Sequence, residues 1–94
     1  MILQQPDSVV SGMAVRRVEP LYPPAAQSAK VSGSVVVEVI IDEEGRVVSA
    51  RVISGEPQLS GSAVAAARGW LFKPTTVDGT PVKVLGQITF NFKS

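Results

Sequence analysis

Few residues of this sequence could do chemistry, because it contains no histidine and no cysteine. Ser-His-Asp catalysis, Cys-His catalysis and the usual zinc sites are therefore excluded. The remaining cluster of reactive side chains is Asp42, Glu43 and Glu44, directly before Gly45. A tight turn offers these carboxylates no enclosing cavity for acid–base work, and no further carboxylate follows before Glu56 to complete a calcium loop. We expect a solvated turn here, and we predict a protein that is not an enzyme and holds no metal or cofactor.

The charge balance gives no sign of a strongly charged partner. Nine basic and eight acidic residues leave a net charge of +1 over 94 residues, and the basic residues are scattered. Such a chain lacks the electrostatic footprint for nucleic acid or an anionic membrane, so we predict no nucleic-acid partner. No apolar run approaches the roughly 20 residues that span a bilayer, and the start of the sequence lacks the pattern of a secretory signal. We expect that an upstream segment would have to carry the domain out of the cytoplasm.

The elements that would position a site form an α+β pattern. Residues 1–18 show no sustained period and are predicted to be a flexible lead-in or linker end, followed by one domain over 19–94. Within that domain the pattern predicts a helix near 24–30, strands near 34–42 and 46–54, a helix near 60–70 with Ser60 or Ser62 as its N-cap, and a strand near 82–93. Gly45 supplies the positive φ that the hairpin turn between the first two strands commonly needs.

The second helix indicates where the core lies. Its apolar residues recur at helical spacing and form one stripe: Leu59, Ala63, Ala66, Ala67 and Trp70. Alanines let a helix lie close to a sheet but fill little volume, so Trp70 and Phe72 are expected to supply the missing bulk. Pro74 prevents the helix from continuing.

The last predicted strand is the candidate binding element. Apolar and polar residues alternate over 82–93, and at about 3.3 Å per residue this run reaches nearly 40 Å, longer than the hairpin strands can cover. Every half-buried antiparallel strand alternates in this way, so the pattern alone leaves an ordinary strand open as a reading. An overhanging strand, however, exposes unpaired N–H and C=O groups that can template another strand. The candidate peptide-binding residues are Val84, Leu85, Gly86, Gln87, Ile88, Thr89 and Phe90. Edge-paired or strand-exchanged homodimers are a second expectation.

Short motifs occur in a fixed order along the chain. They are Tyr22-Pro23, Gly33-x-Val35, Asp42-x-x-Gly45-x-Val47, Trp70-x-Phe72-x-Pro74 and Gly79-x-Pro81-Val82, with Ala26, Ser54, Ala63, Ala66 and Phe90 between or after them. The set covers about 19–92 and resembles the C-terminal domain of TonB-type energy transducers. Single pieces are weak signals, whereas the ordered set that includes Trp-x-Phe-x-Pro is specific.

The resemblance implies a fold and a site. It implies a three-stranded antiparallel sheet with two helices packed on one face, in the order helix, strand, strand, helix, strand, with the first strand central and the last strand at an edge. In the family this edge accepts the extended TonB box of an outer-membrane receptor, and the segment before Tyr-Pro helps to hold it. Glu19 is therefore a further candidate contact, although Glu19-Pro20 stands where the family often has Gln-Pro. We assign Tyr22, Trp70 and Phe72 to the structural core.

The function that the resemblance implies is transmission of energy to active uptake. A TonB-like domain would lie in the periplasm of a Gram-negative cell, anchored to the inner membrane by an upstream segment. It would pass on the energy of the proton motive force, harvested through ExbB–ExbD, to a TonB-dependent receptor. The alternative is an interaction or assembly module of another envelope protein, such as a TolA-like domain. An upstream membrane helix and proline-rich spacer would favour the first, and a fused domain would favour the second.

Overall fold

The structure, a computed structural model, describes residues 2–5, 10 and 12–93. Its helices are α1 (Pro24–Ser28) and α2 (Pro57–Arg68). Its strands are β1 (Ile2–Gln4), β2 (Ala14–Arg16), β3 (Gly33–Ile41), β4 (Val47–Ser54), β5 (Leu71–Phe72), β6 (Thr75–Val77) and β7 (Thr80–Phe92). No helix in this described part combines the length and the apolar character needed to cross a membrane.

The main sheet has five strands and is mixed. Its order is β1-β7-β3-β4, and β6 also pairs with β7 in a hairpin. Strand β1 runs parallel to β7, while the other pairs are antiparallel. The prediction of an α+β fold is confirmed, but the three-stranded antiparallel sheet is wrong, because β1 and β6 both add to β7. Strands β2 and β5 form a separate small antiparallel pair.

The long strands follow from their sequences. Strand β3 is rich in β-branched residues, and its alternate side chains Val35, Val37, Val39 and Ile41 are all buried in the core. Strand β7 buries every second residue in the same way: Val82, Val84, Gly86, Ile88, Phe90 and Phe92. The two strands pair without a register shift from Gly33 opposite Phe92 to Ile41 opposite Val84. Side-chain alternation along β7 can therefore be followed without interruption.

Helix α2 differs from the prediction at both ends. It begins at Pro57, a residue that the first helical turn accepts because its missing N–H needs no partner. The Ser60 hydroxyl donates to the Glu56 carbonyl at 3.0 Å, and the residue at the N-cap position is Glu56, so the Ser60 or Ser62 cap is wrong. The helix ends at Arg68, with Gly69 as its C-cap. Trp70 thus lies beyond the helix rather than in its last turn.

Residues from both helices and from the main sheet form one hydrophobic core. Helix α1 contributes Ala26, and α2 contributes Leu59, Ala63, Ala66 and Ala67. The bulk comes from an aromatic group around Trp70, which is 8% exposed. The Trp70 ring lies 6.0 Å from the Phe72 ring and 5.8 Å from the Phe90 ring, measured between centroids. Tyr22 is half-buried and meets Phe92 edge to face at 5.7 Å.

The segment predicted as a flexible lead-in contains two short strands that pair with the rest of the domain. Within 1–18, β1 pairs with β7 and β2 pairs with β5. Val10 is fully buried, and the Met13 carbonyl accepts a hydrogen bond of 2.9 Å from the Lys73 N–H. Residues 1, 6–9 and 11 of the predicted lead-in lie outside the described residues. No period shows in this part of the sequence, because these strands have only three residues each.

Candidate functional site: the outer edge of strand β7

Strand β7 has one side against β3 and a second side that we call the outer edge. The Gln5 N–H donates to the Leu85 carbonyl at 3.0 Å, so the backbone groups of Leu85 point to the outer edge. Hydrogen-bonding direction alternates along a strand, and the register with β3 is unbroken. The N–H and C=O groups of Gln87 and Thr89 therefore also point outward, whereas those of Gly86 and Ile88 point to β3.

Only the first part of the outer edge carries a strand among the described residues. Strand β1 lies opposite Lys83, Val84 and Leu85. From Gly86 to Phe92, no described strand pairs with this side of β7. The expectation of an edge position for the last strand is therefore wrong at 83–85. The open part of the edge presents the backbone groups of Gln87 and Thr89.

The candidate binding residues fall into two sets by side-chain direction. Val84, Gly86, Ile88 and Phe90 face the core and are buried. Leu85 and Gln87 are half-buried and Thr89 is exposed, all on the opposite face of the sheet. A peptide at the outer edge can therefore meet the side chains of the second set, while the first set holds β7 in place.

Gly86 leaves a notch on the core face of β7. A Cβ atom built at this position would overlap the Val10 side chain, which fills the space that glycine leaves. The absent side chain at position 86 and the buried Val10 thus form one contact between the N-terminal segment and β7. Sequence reasoning placed Gly86 on the buried face of the strand but gave no signal that Val10 would cover it.

The structure brings Glu19 to the far end of β7. A shallow groove of about 310 Å³ is lined by Glu19, Pro20, Tyr22, Asn91, Phe92 and Lys93. The Tyr22 hydroxyl donates to the Val31 carbonyl, which ties the Tyr-Pro segment to the chain after α1. Glu19 therefore lies beside the end of the open edge and away from its start at Gly86.

A second groove was missed by sequence reasoning. It holds about 400 Å³ between the segment 18–21 and α2, and its lining residues include Glu19, Leu21, Gly61 and Ala65. Leu21 is 75% exposed, a high value for a leucine. The small residues at Gly61 and Ala65, on the side of α2 away from the main stripe, are the one signal that could have indicated it.

The carboxylate cluster forms a self-contained turn. The Asp42 carboxylate accepts hydrogen bonds from the backbone N–H of Glu44 at 2.9 Å and of Arg46 at 2.8 Å. The hydrogen bond from the Arg46 N–H is the main cause that lowers the pKa of Asp42 below its ordinary value of 3.8. In the described part of the chain, no three acidic side chains converge as metal ligands. The turn holds the β3–β4 hairpin and lies apart from the outer edge.

Comparisons with known proteins place this geometry in a family. The family model for the Gram-negative bacterial TonB protein C-terminal matches residues 18–94. Protein TonB of Vibrio cholerae serotype O1 is 33% identical over 79 residues, which cover 82% of this chain and 32% of that protein. Protein TonB of Xanthomonas campestris pv. campestris is 39% identical over 75 residues, which cover 78% of this chain and 34% of that protein. The chain thus spans about a third of the length of these relatives.

A solved structure agrees with the sequence matches. The solution NMR structure of the Pseudomonas aeruginosa TonB CTD superposes with a TM-score of 0.71 at 28% sequence identity. The match covers 86% of this chain and 84% of that chain. From the family model, the sequence relatives and the shared fold together, we conclude that the chain belongs to the family of TonB C-terminal domains.

Proposed function

We propose that this domain is the periplasmic, receptor-binding part of a TonB-like energy transducer. It binds the extended TonB box of an outer-membrane receptor by strand addition at the outer edge of β7. The family consists of energy-transducing interaction proteins and not of enzymes. Energy from the proton motive force reaches the domain through ExbB–ExbD and parts of the transducer outside this chain, and it drives active uptake through the receptor.

The observation that carries this proposal is the open part of the outer edge. The outward N–H and C=O groups of Gln87 and Thr89 have no strand partner among the described residues. Such groups are a ready template for an extended peptide, and the main-chain hydrogen bonds supply affinity. The neighbouring pair of β1 and β7 supports the proposal, because this side of β7 already accepts an added strand.

Specificity must come from side chains beside the edge, since backbone pairing is nearly blind to sequence. Leu85, Gln87 and Thr89 line the open face of the sheet next to the edge. Glu19 lies by the end of β7, in the groove that it shares with Asn91 and Lys93. We expect a micromolar dissociation constant, because ordering a flexible peptide opposes the contacts that it makes.

The experiment is an NMR titration of the full chain with a panel of N-terminal peptides from outer-membrane receptors. Gln87→Pro removes an outward N–H that the peptide needs, and strand proline is tolerated where its N–H faces solvent. The residue before it is Gly86, whose missing Cβ lessens the clash that a following proline imposes. The matched control, Gln87→Ala, removes the same side chain but keeps the N–H.

The proposal requires that Gln87→Pro abolishes peptide binding while Gln87→Ala changes the affinity only a few fold. Both variants must keep the unfolding midpoint and far-ultraviolet spectrum of a folded domain. If folded Gln87→Pro binds the peptides with the affinity of the parent chain, strand addition at this edge is wrong.

A further inference from the structure

The N-terminal segment occupies part of the proposed peptide site. Leu3 lies opposite Val84 and Gln4 lies opposite Leu85, in a parallel register. Val84 and Leu85 are the first two residues of the site predicted over 84–90. The Leu85 carbonyl, which an added peptide would use as an acceptor, already receives the Gln5 N–H at 3.0 Å. A peptide that pairs along the whole of 84–90 cannot do so while β1 is in place.

Val10 holds the same N-terminal segment against the core face of β7, beside Gly86. Its side chain is 0% exposed and fills the notch that the absent Cβ of Gly86 leaves. An aliphatic side chain in a notch of this kind removes its apolar surface from water and adds close contacts. Val10 therefore acts as an anchor that keeps the N-terminal segment beside β7.

The contact of β1 with β7 is small, but the segment is tethered close to it. Strand β1 has three residues, and Ile2 within it is 52% exposed, so little surface holds it. After Val10 the chain is fixed again, since the Met13 carbonyl accepts from the Lys73 N–H and β2 pairs with β5. A short tether gives a weak strand a high effective concentration at its site. The contact is thus suited to open and close without unfolding the domain.

We propose that β1, anchored by Val10, is an internal competitor for the receptor-peptide site. The inference rests on the proposed function, because it assumes that a peptide adds to the outer edge of β7. A peptide then binds only the fraction of molecules in which β1 has left, and the apparent dissociation constant rises in inverse proportion to that fraction. Release of β1 would raise the affinity without any new contact to the peptide.

The test variant is Gln5→Pro in the full chain. It removes the N–H that donates to Leu85, while Gln4 before it is already in an extended strand, as a following proline prefers. Gln5→Ala is the matched control, because it keeps that N–H. Neither change touches the groups of Gln87 and Thr89. Losing one backbone hydrogen bond lowers the fraction of molecules in which β1 is paired with β7. Receptor peptides should therefore bind about fivefold to tenfold tighter to Gln5→Pro, whereas Gln5→Ala should bind them about as the parent chain does.

A second variant tests the anchor. Val10→Ala leaves every backbone donor and acceptor of β1 and β7 unchanged but empties most of the notch over Gly86. We expect receptor peptides to bind about two- to fivefold tighter than to the parent chain, since the buried contact that holds the segment is smaller. An unchanged affinity for Val10→Ala, together with unchanged amide exchange at Leu85, would show that Val10 is not an anchor.

Whether β1 is paired with β7 can be measured without any peptide. In the parallel register the Leu85 N–H faces the Leu3 carbonyl, so its hydrogen exchange reports whether β1 is docked. We expect protection of this amide in the parent chain and in Gln5→Ala, and about fivefold to tenfold faster exchange in Gln5→Pro, in step with the gain in peptide affinity. Fast exchange already in the parent chain would overturn the proposal, as would release of β1 with no gain in peptide affinity.

The two ways of failing can be told apart. If receptor peptides bind in a manner that depends on the Gln87 N–H but are insensitive to Gln5→Pro, strand addition stands and the internal competitor is wrong. Receptor peptides are also tested against a variant in which fast hydrogen exchange of the Leu85 amide shows that β1 has left. If none of them binds to it, the proposed function is wrong, and so is the proposal of an internal competitor.

Discussion

The Trp70 indole Nε1–H donates a hydrogen bond of 2.9 Å to the Val18 carbonyl. The donor lies just after α2, and the acceptor lies in the segment that leads to α1, so one side chain joins parts of the chain 52 residues apart. The guanidinium of Arg17 also stands 5.8 Å from the centre of the Trp70 ring. Trp70 thus fills part of the core and also holds the N-terminal segment against the core through contacts with Arg17 and Val18.

Truncation of Trp70 should be the most damaging single change in the core. Trp70→Ala removes the ring contacts with Phe72 and Phe90 and the hydrogen bond to Val18, and should cost about 3–5 kcal/mol of unfolding free energy. Trp70→Phe keeps an aromatic ring but leaves the Val18 carbonyl without its partner, and should cost about 1–2 kcal/mol. Urea unfolding followed by circular dichroism measures both. Equal costs for the two variants would show that the hydrogen bond outweighs the packing.

The long elements could be predicted because their patterns extend over several turns or residues. Strand β7 alternates over its whole length, and β3 is a run of β-branched residues, so periodicity alone placed both within two residues of their ends. The predicted start of helix α2 is three residues late, because a proline such as Pro57 is typical of loops as well as of the first helical turn.

The short strands could not be predicted for a physical reason. Strands β1, β2, β5 and β6 have two or three residues each, too few for a period to show. What holds β1 is its pairing with residues about 80 positions away, such as Ile2 with Lys83, and no local propensity encodes such a pair. The open part of the outer edge follows from the edge position that the resemblance implies for the last strand, because among the described strands residues 86–92 pair only with β3, on the other side. The expectation of an unpaired overhang is wrong, since residues 80–83, which extend beyond β3, pair with β6 and β1.

Two glycines at positive φ should respond differently to the same substitution. A Cβ at Gly45, where φ is +90°, would overlap the Phe72 carbonyl oxygen, while a Cβ at Gly79, where φ is +81°, has open space. Gly79→Ala should therefore cost only the backbone strain of about 1–2 kcal/mol. Gly45→Ala adds a clash with backbone atoms and should cost at least about 3 kcal/mol. Thermal and urea unfolding of both variants checks the difference, and similar costs would contradict the close approach of Gly45 to Phe72.

The Asp42 turn should contribute a stability that is lost in acid. Because the folded state lowers the pKa of Asp42, mainly through the Arg46 N–H, the contribution is fully present above the pKa of the unfolded chain, for which the ordinary value of 3.8 serves. It disappears as the pH falls through the lower pKa of the folded state. Asp42→Asn removes this ionisation, so the difference in unfolding free energy between the parent chain and the variant should shrink as the pH falls below about 4. A difference that stays constant between pH 6 and pH 2.5 would show that the ionised form of Asp42 is not favoured by folding.

The alternation of backbone direction along β7 predicts an alternating pattern of amide exchange. In the free domain the N–H groups of Gln87 and Thr89 face the open part of the outer edge, so they should exchange fast. The N–H groups of Ile88 and Phe90 face β3 and should be protected by factors of at least a hundred more. Adding a receptor peptide should slow Gln87 and Thr89 and leave Ile88 and Phe90 unchanged, since only the outward groups gain a partner. Val37 and Val39 in the central strand β3 serve as internal references. If Gln87 and Thr89 are as protected as Ile88 before any peptide is added, the edge is already paired, and a receptor strand has no free backbone groups to join there.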